Sequence, residues 1–251
     1  MFLNIIIQMT STVKNSEEKI FMCDKNKHRL AKDVVRIMKQ PLEEHGIYYK
    51  HSESNMLLGY ALIIGPRDTI YENGYYLFKF TYPKEYPYKP PVVKYLTNNG
   101  TTRFNPNLYR NGKVCISILN TWKGEQWTSC QNINTILLTL ITLFHNKPLL
   151  NEPGVTESYK WFKNYNKIIQ YRNFETAIYN IVEGTCCNGT KAKKKFTPII
   201  LKNFKENKQK ILDKIKSLFH LDEQEFYVAI YSMNDVFKYK DLYKKIENIS
   251  V

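Results

Sequence analysis

The sequence lacks any apolar run long enough to cross a bilayer, which needs about 20 residues in a helix. Its most apolar N-terminal segment, residues 2–9, is interrupted by Asn4 and Gln8 and has no preceding basic stretch, so a signal peptide is not expected. The C-terminus carries no prenylation signal. We therefore expect no membrane association and a location in the cytoplasm, the nucleus or both.

Cysteine is scarce, and its pattern excludes two kinds of site. There are 5 cysteines, an odd number without regular spacing, which argues against a disulfide framework. No pair has the spacing of zinc ligands, so neither a metal nor another cofactor is expected. A reducing compartment fits this composition. The cysteines are Cys23, Cys115, Cys130, Cys186 and Cys187.

The sequence also lacks an arginine-rich arm, although its net charge is +14. Such a charge can attract nucleic acid or acidic proteins. The densest basic run is Lys191 and Lys193–Lys195, which we interpret as a solvated linker rather than a nucleic-acid patch. Nucleic acid is thus an unlikely partner.

Hydrophobic periodicity predicts an α+β fold. Residues 28–40 fit an amphipathic helix that ends near Pro41. Residues 46–96 fit four short strands with turns between them, which indicates an antiparallel meander. Tyr76, Phe78 and Phe80 alternate as in a half-buried strand.

Helices are predicted again in the second half of the chain. A central helix is expected at 129–146, with Thr128 and Gln131 as a capping box. Another is expected at 157–182, and further helices at 197–249 after a break. This divides the chain into an N-terminal extension (1–27), a core (28–182) and a helical C-terminal extension (183–251).

A long irregular stretch from Thr97 to Trp127 contains Cys115. Irregular stretches of this length inside a compact domain are usually functional. A lone cysteine is more often a small buried hydrophobe. Its place in a long loop ahead of a helix favours chemistry. No histidine lies close enough in the sequence to suggest a Cys–His hydrolase.

The ordered motifs Gly65-Pro66, 69–74, 86–91, 105–107 and 112–115 together resemble the ubiquitin-conjugating enzyme family. Asn107 stands eight positions before Cys115, as the motif asparagine stands before the cysteine in that family. The match is closer to the long branch that includes the type Z conjugating enzyme and the conjugating domain of the giant inhibitor-of-apoptosis protein. The segments that match this branch are 104–115 and 151–154, with an insertion at 121–127 that also fits it.

The resemblance implies that Cys115 carries ubiquitin as a thioester, so its sulfur must be reachable by another protein's tail. Asn107 would donate a hydrogen bond to the oxyanion, or would only pin the loop. Asn105 and Pro106 would shape that loop. Asn151, at a position where the family often has aspartate, would orient the incoming lysine or cap a turn.

The resemblance also implies protein partners. Arg29, Lys32 and Arg36 of the first helix would bind the ubiquitin-activating enzyme. Tyr88, Ser129 and Cys130 would bind a ubiquitin ligase. Two alternatives remain open, namely a carrier for another ubiquitin-like modifier and an inactive, binding-only variant of the fold.

Overall fold

The computed structural model describes residues 22–185 and 190–250. Its centre is an antiparallel sheet in the strand order β1-β2-β3-β4, so the predicted four-stranded meander and the α+β class are confirmed. Ile47 pairs with Ile63, Ala61 with Phe78, and Phe80 with Val93. The strands are β1 Ile47–His51, β2 Leu58–Ile64, β3 Tyr75–Thr81 and β4 Val92–Tyr95.

Helix α1, Asp24–Lys39, begins four residues earlier than predicted. Asp24 lies in its first turn and Lys39 in its last, which places each charge favourably in the field of the helix dipole. Leu30 and Ile37 of the predicted apolar stripe are buried. The helix thus covers the core with one face and leaves the other to solvent.

The central helix, α2, covers only Ile133–Ile141, so the prediction of 129–146 was too long at both ends. Its N-cap is Asn132, whose side chain accepts the amide hydrogen of Thr135. Thr128 and Gln131 do bond to each other, but they form a separate turn before the helix. The Thr128–Gln131 pattern therefore marks a turn before the helix and not the start of the helix.

Helix α3, Phe162–Arg172, continues through a π-helical stretch, Asn173–Tyr179, to a last α-helical turn, Asn180–Glu183. Asn173 is buried in the π-helical stretch, where it accepts the Tyr76 hydroxyl at 2.6 Å and donates to Glu72 O at 3.0 Å. These bonds tie the helix to the meander.

The C-terminal extension contains more than helices. Helix α4, Thr190–Ser217, is followed by a hairpin of β5 (Glu225–Val228) and β6 (Met233–Val236), and then by helix α5, Tyr239–Glu247. The hairpin corrects the expectation of helices throughout 197–249. The lysine run lies inside α4, so its interpretation as a linker was wrong.

Helix α4 lies over β2 and β3. It buries Phe196, Ile200 and Phe204 completely, and Asn203 accepts the Tyr75 hydroxyl at 3.1 Å. Because α4 covers the second face of the sheet, Tyr75 and Leu77 are as buried as Tyr76 and Phe78. Strand β3 is therefore buried on both faces rather than on one.

Short 3-10 turns connect these elements, and one of them lies within the irregular stretch. They are Glu43–His45, Ser117–Leu119, Pro148–Asn151, Phe219–Leu221 and Ala229–Tyr231. Among the described residues no helix is both long and apolar enough to traverse a bilayer. The expectations for residues 2–9 and for Cys186 and Cys187 lie outside the described residues.

Candidate functional site

The irregular stretch is held by backbone hydrogen bonds around Cys115. The Cys115 amide donates to Asn107 O at 2.9 Å, and Leu108 forms an isolated β-bridge with Val114. The turn at Gly112 has a φ of 87°, and a Cβ there would lie 2.7 Å from Tyr95 O. Glycine is required because both the left-handed backbone and the close approach exclude a side chain.

The sulfur of Cys115 is less accessible than the sequence analysis requires, because the residue is only 2% exposed. Its Sγ donates to the carbonyl oxygen of Thr121 at 2.7 Å. Cys115 is among the buried core residues, but its sulfur contacts Thr121, which starts a loop whose next residues, 122–126, are all exposed. We call residues 121–126 the cover segment.

Thr121 fixes the cover segment to both sides of Cys115. Its hydroxyl accepts the Ile116 amide hydrogen at 3.0 Å and lies 3.0 Å from both Val114 O and Ile116 O. Asn120 bonds through Oδ1 to the amide of Trp127 at 2.8 Å, which closes the other end of the segment. These bonds hold the start of the cover segment against the cysteine.

Asn107 contacts Cys115 directly. Its Nδ2 donates to the Cys115 carbonyl oxygen at 2.6 Å. Its Oδ1 is buried and has no hydrogen-bond partner among the described residues. The amide group thus lies beside the cysteine, as expected, and in this conformation it bonds the loop backbone. Its donation to a reacting carbonyl stays a prediction.

Asn105 is fully buried and organises the loop before the cysteine. Its Nδ2 donates to Leu143 O at 2.8 Å, and its Oδ1 accepts the Asn107 amide at 2.8 Å. The neighbouring Pro106 is also buried, and its carbonyl accepts Nη2 of Arg103 at 2.5 Å. This geometry is that of residues that shape the loop.

Asn151 ends the 3-10 turn Pro148–Asn151 and is half-buried. Its Nδ2 donates to Asn105 Oδ1 at 3.4 Å, and its Oδ1 lies 3.3 Å from Nε2 of His145. Asn151 therefore belongs to the same hydrogen-bonded group as Asn105 and Asn107. A contact with an incoming lysine stays a prediction.

The predicted partner residues differ in accessibility. Tyr88 is 61% exposed, and Ser129 and Cys130 are also exposed. Lys32 and Arg36 are exposed on α1. These side chains are available to partners.

Arg29 is different, because its guanidinium group bonds within the chain. It donates to Ser129 O at 2.6 Å, to Gln131 O at 2.8 Å and to the Asp33 carboxylate at 3.0 Å. Asp33 also accepts the hydroxyl of Tyr86 at 2.6 Å. This geometry favours a structural role for Arg29, which joins α1 to the segment before α2, over the predicted role in binding a partner.

Two features beside the cysteine were missed by the sequence analysis. Thr121 carries no motif, and its part is visible only once the loop is folded. Tyr231, at the tip of the C-terminal hairpin, reaches Glu152 next to Asn151. Their separation of 79 positions in the chain explains why no local pattern indicates this contact.

The described residues contain no group of three or more His, Cys, Asp or Glu side chains that could hold a metal ion. The site instead offers one thiol, three side-chain amides and backbone carbonyls. Such a set suits nucleophilic attack by sulfur with amide hydrogen bonds to a developing oxyanion.

Comparison with known proteins points to one family. The family described as "Ubiquitin-conjugating enzyme" matches residues 29–176. A relative from Xenopus tropicalis, "Ubiquitin-conjugating enzyme E2 Z", is 35% identical over 224 residues, or 88% of this chain and 70% of that one. The Homo sapiens protein of the same name is 42% identical over 161 residues, which are 63% of this chain and 45% of that one.

A third relative is much longer. "Dual E2 ubiquitin-conjugating enzyme/E3 ubiquitin-protein ligase BIRC6" of Homo sapiens is 38% identical over 138 residues, which are 52% of this chain and 3% of that protein. The similarity to the frog relative, in contrast, extends over most of this chain.

Proposed function

The chain belongs to the ubiquitin-conjugating enzyme family, and from that membership we propose that it accepts ubiquitin from an activating enzyme as a thioester on Cys115 and transfers it to a lysine or a ligase cysteine. The observation that carries this proposal is the pairing of Asn107 with Cys115. The two residues are joined by a side-chain bond of 2.6 Å and a backbone bond of 2.9 Å.

In the loading step the Cys115 thiolate attacks the thioester carbonyl that joins ubiquitin to the activating enzyme. A new carbon–sulfur bond forms to Cys115, and the activating enzyme's thiolate leaves. Since the thiolate is the nucleophile, the Cys115 proton must first be lost. The bond from Sγ to Thr121 O holds this proton in the described conformation, so the cover segment must move before attack.

In the discharge step a neutral amine of a lysine attacks the same carbonyl. A carbon–nitrogen bond forms, the amine proton goes to solvent, and Cys115 leaves as thiolate. Negative charge builds on the carbonyl oxygen on the way. Asn107 Nδ2 has a second hydrogen besides the one donated to Cys115 O, and it would stabilise that charge.

Membership of the family supports proposals for the partner proteins. We propose that Lys32 and Arg36 contribute to the encounter with the activating enzyme and that Tyr88, Ser129 and Cys130 contribute to ligase binding. Complementary charge on α1 would mainly speed association. A reducing cytoplasm or nucleus would keep Cys115 free to react.

The test is a loading reaction with activating enzyme, ATP and ubiquitin, read on a non-reducing gel. We expect one added band, one ubiquitin heavier, that disappears with reductant. Cys115→Ala should abolish it, and Cys115→Ser should give a band that resists reductant, because an oxyester replaces the thioester. A binding-only protein would give no band.

Cys130→Ala is the matched control, because Cys130 is an exposed cysteine at the proposed ligase surface. It should load like the unsubstituted protein. Replacing ubiquitin by a panel of ubiquitin-like modifiers in the same reaction identifies the carried protein. Loading with another modifier but not with ubiquitin would replace this proposal by the related one.

A further inference from the structure

The hairpin of the C-terminal extension contacts the segment 148–152 and the loop of residues 103–115 that ends at the proposed catalytic cysteine, which we call the catalytic loop. At its tip the Tyr231 hydroxyl donates to the Glu152 carboxylate, directly after Asn151. The Tyr231 carbonyl accepts Nη2 of Arg110, which lies between Asn107 and Cys115 in the chain. One residue thus bonds both the 148–152 segment and the catalytic loop.

A second set of contacts fixes the hairpin tip to the start of that loop. The Arg103 guanidinium lies 3.4 Å from the ring centroid of Tyr109 and 5.0 Å from that of Tyr231. The Arg103 amide donates to Sδ of Met233 at 3.3 Å. Because cation–π and hydrogen-bond contacts act together here, the tip is held in one place.

A path of hydrogen bonds, with one step along the backbone from Glu152 to Asn151, leads from this tip to the cysteine. Glu152 adjoins Asn151, whose Nδ2 donates to Asn105 Oδ1 at 3.4 Å. The same Asn105 oxygen accepts the Asn107 amide at 2.8 Å. Asn107 then donates to Cys115 O at 2.6 Å. Each step is a contact between groups with defined geometry, as coupling between two places requires.

We propose that Tyr231 is a positioning residue, which acts through Glu152 and Arg110 to hold Asn151 and Asn107 in place for the discharge step. The inference rests on the proposed function of Cys115. It assigns the extension a part in the reaction, in addition to its packing on the sheet. Loading depends on access to the sulfur, whereas discharge also needs the amides aligned, so the effect falls on discharge.

The Tyr231 hydroxyl is suited to this part. Burial, together with the hydrogen bond to Glu152 and its negative charge, raises the pKa of Tyr231 above its ordinary value. The hydroxyl therefore keeps its proton and remains a donor throughout the neutral range. Tyr231→Phe removes this one bond and retains the ring that contacts Arg103.

The experiment compares Tyr231→Phe with Tyr227→Phe. Tyr227 lies in the same hairpin and is 43% exposed, and within the described residues its hydroxyl makes no hydrogen bond. Each variant is loaded, freed of ATP and mixed with free lysine, and thioester loss is followed in single turnover. We expect Tyr231→Phe to load normally and discharge roughly 2–30-fold more slowly, and Tyr227→Phe to match the unsubstituted protein in both steps.

Glu152 provides an independent arm. Glu152→Gln keeps an acceptor oxygen for the Tyr231 hydroxyl and should discharge close to the normal rate, whereas Glu152→Ala should be as slow as Tyr231→Phe. The double variant Tyr231→Phe, Glu152→Ala should be no slower than either alone, because both remove the same bond.

The outcomes separate the two proposals. Normal discharge by Tyr231→Phe overturns the positioning role while the carrier function stands. Equal losses in loading and discharge, with a lowered melting temperature, also overturn it, because they indicate folding alone. A failure of the unsubstituted protein to load at all overturns the carrier function itself.

Discussion

At the scale of single residues, Asn107 is the side chain whose contacts in the structure suggest the most specific test. Its Nδ2 donates to the Cys115 carbonyl oxygen at 2.6 Å, while its Oδ1 is buried without a partner among the described residues. A buried amide oxygen that bonds nothing costs free energy. The arrangement suits an amide that changes partners when a thioester forms.

Replacing Asn107 by alanine separates its two possible roles. If the amide stabilises the oxyanion, Asn107→Ala should load within a few-fold of normal and discharge to free lysine about 10²–10³-fold more slowly, the cost of a lost oxyanion donor in other enzymes. If it only pins the loop, loading and discharge should fall together. Single-turnover rates of both steps make this distinction.

Asn111→Ala serves as the control for that measurement. Asn111 lies in the same loop and is exposed, and its Oδ1 accepts the Lys113 amide at 3.0 Å rather than contacting Cys115. We expect near-normal rates for it. Normal discharge by Asn107→Ala would remove Asn107 from the mechanism altogether.

The residues of the site were predictable where a short motif carries them. Asn105, Asn107 and Cys115 lie within eleven consecutive positions and are joined by bonds between near neighbours. Arg29 shows the limit of this reasoning. Its charge and its place on an amphipathic helix suggest an outward role, but its bonds lead 100 positions away, to Ser129.

At the scale of elements, the cover segment is the part of the chain whose opening we expect to control access to Cys115. Thr121 bonds through its hydroxyl to the backbone on both sides of Cys115, and its carbonyl accepts the sulfur's hydrogen. The exposed residues that follow it have few such restraints. Local opening of such a loop requires much less free energy than global unfolding.

Thr121→Val should make the sulfur easier to reach. The change keeps the shape of the side chain and leaves the Ile116 amide hydrogen without its acceptor. We expect alkylation of Cys115 by iodoacetamide to become about 2–12-fold faster for each hydrogen bond that is lost with the hydroxyl. Mass spectrometry of the labelled peptides measures each cysteine separately.

Two other cysteines of the same chain serve as internal controls for the alkylation rate of Cys115. Cys23 and Cys130 are exposed, so both should be alkylated faster than Cys115, and Thr121→Val should change neither. Thr121→Ser keeps the hydroxyl and should leave the Cys115 rate nearly unchanged. An unaltered rate in Thr121→Val would show that Thr121 does not control access.

Element boundaries were predicted less well than element types, for physical reasons. The meander was predictable because strands with apolar alternation and clear turns are local patterns. Helix α2 begins at Ile133 because the side chain of Asn132 caps it. The turn between Thr128 and Gln131 has the hydrogen bond of a capping box, but it ends just before the true N-cap. The hairpin of the extension has only four residues in each strand, too few for a period to emerge.

At the scale of the whole molecule, the extension and the core share one apolar interior. Phe196, Ile200 and Phe204 of α4 belong to the same buried cluster as Tyr75 and Leu77 of β3. The predicted division at residue 183 therefore separates two segments of the sequence that share a single hydrophobic core. Removing residues 190–251 would expose the second face of the sheet, so point substitutions are the better probe of the extension.

A substitution at Phe196 tests whether the extension and the core unfold as one unit. Phe196 is fully buried, and its ring lies 5.9 Å from Nζ of Lys50 on β1. We expect Phe196→Ala to lower the free energy of unfolding by about 3–5 kcal/mol, the usual loss for a buried phenylalanine. Lys194→Ala, at a neighbouring exposed position of α4, should change the free energy of unfolding by less than about 0.5 kcal/mol.

Denaturant unfolding should show a single transition shifted by Phe196→Ala, because one hydrophobic cluster joins the extension and the core. Two transitions, with Phe196→Ala shifting the midpoint of only one, would mean that the extension unfolds independently of the core. Stable packing on the core could then not be what fixes the contact between the hairpin and the catalytic loop.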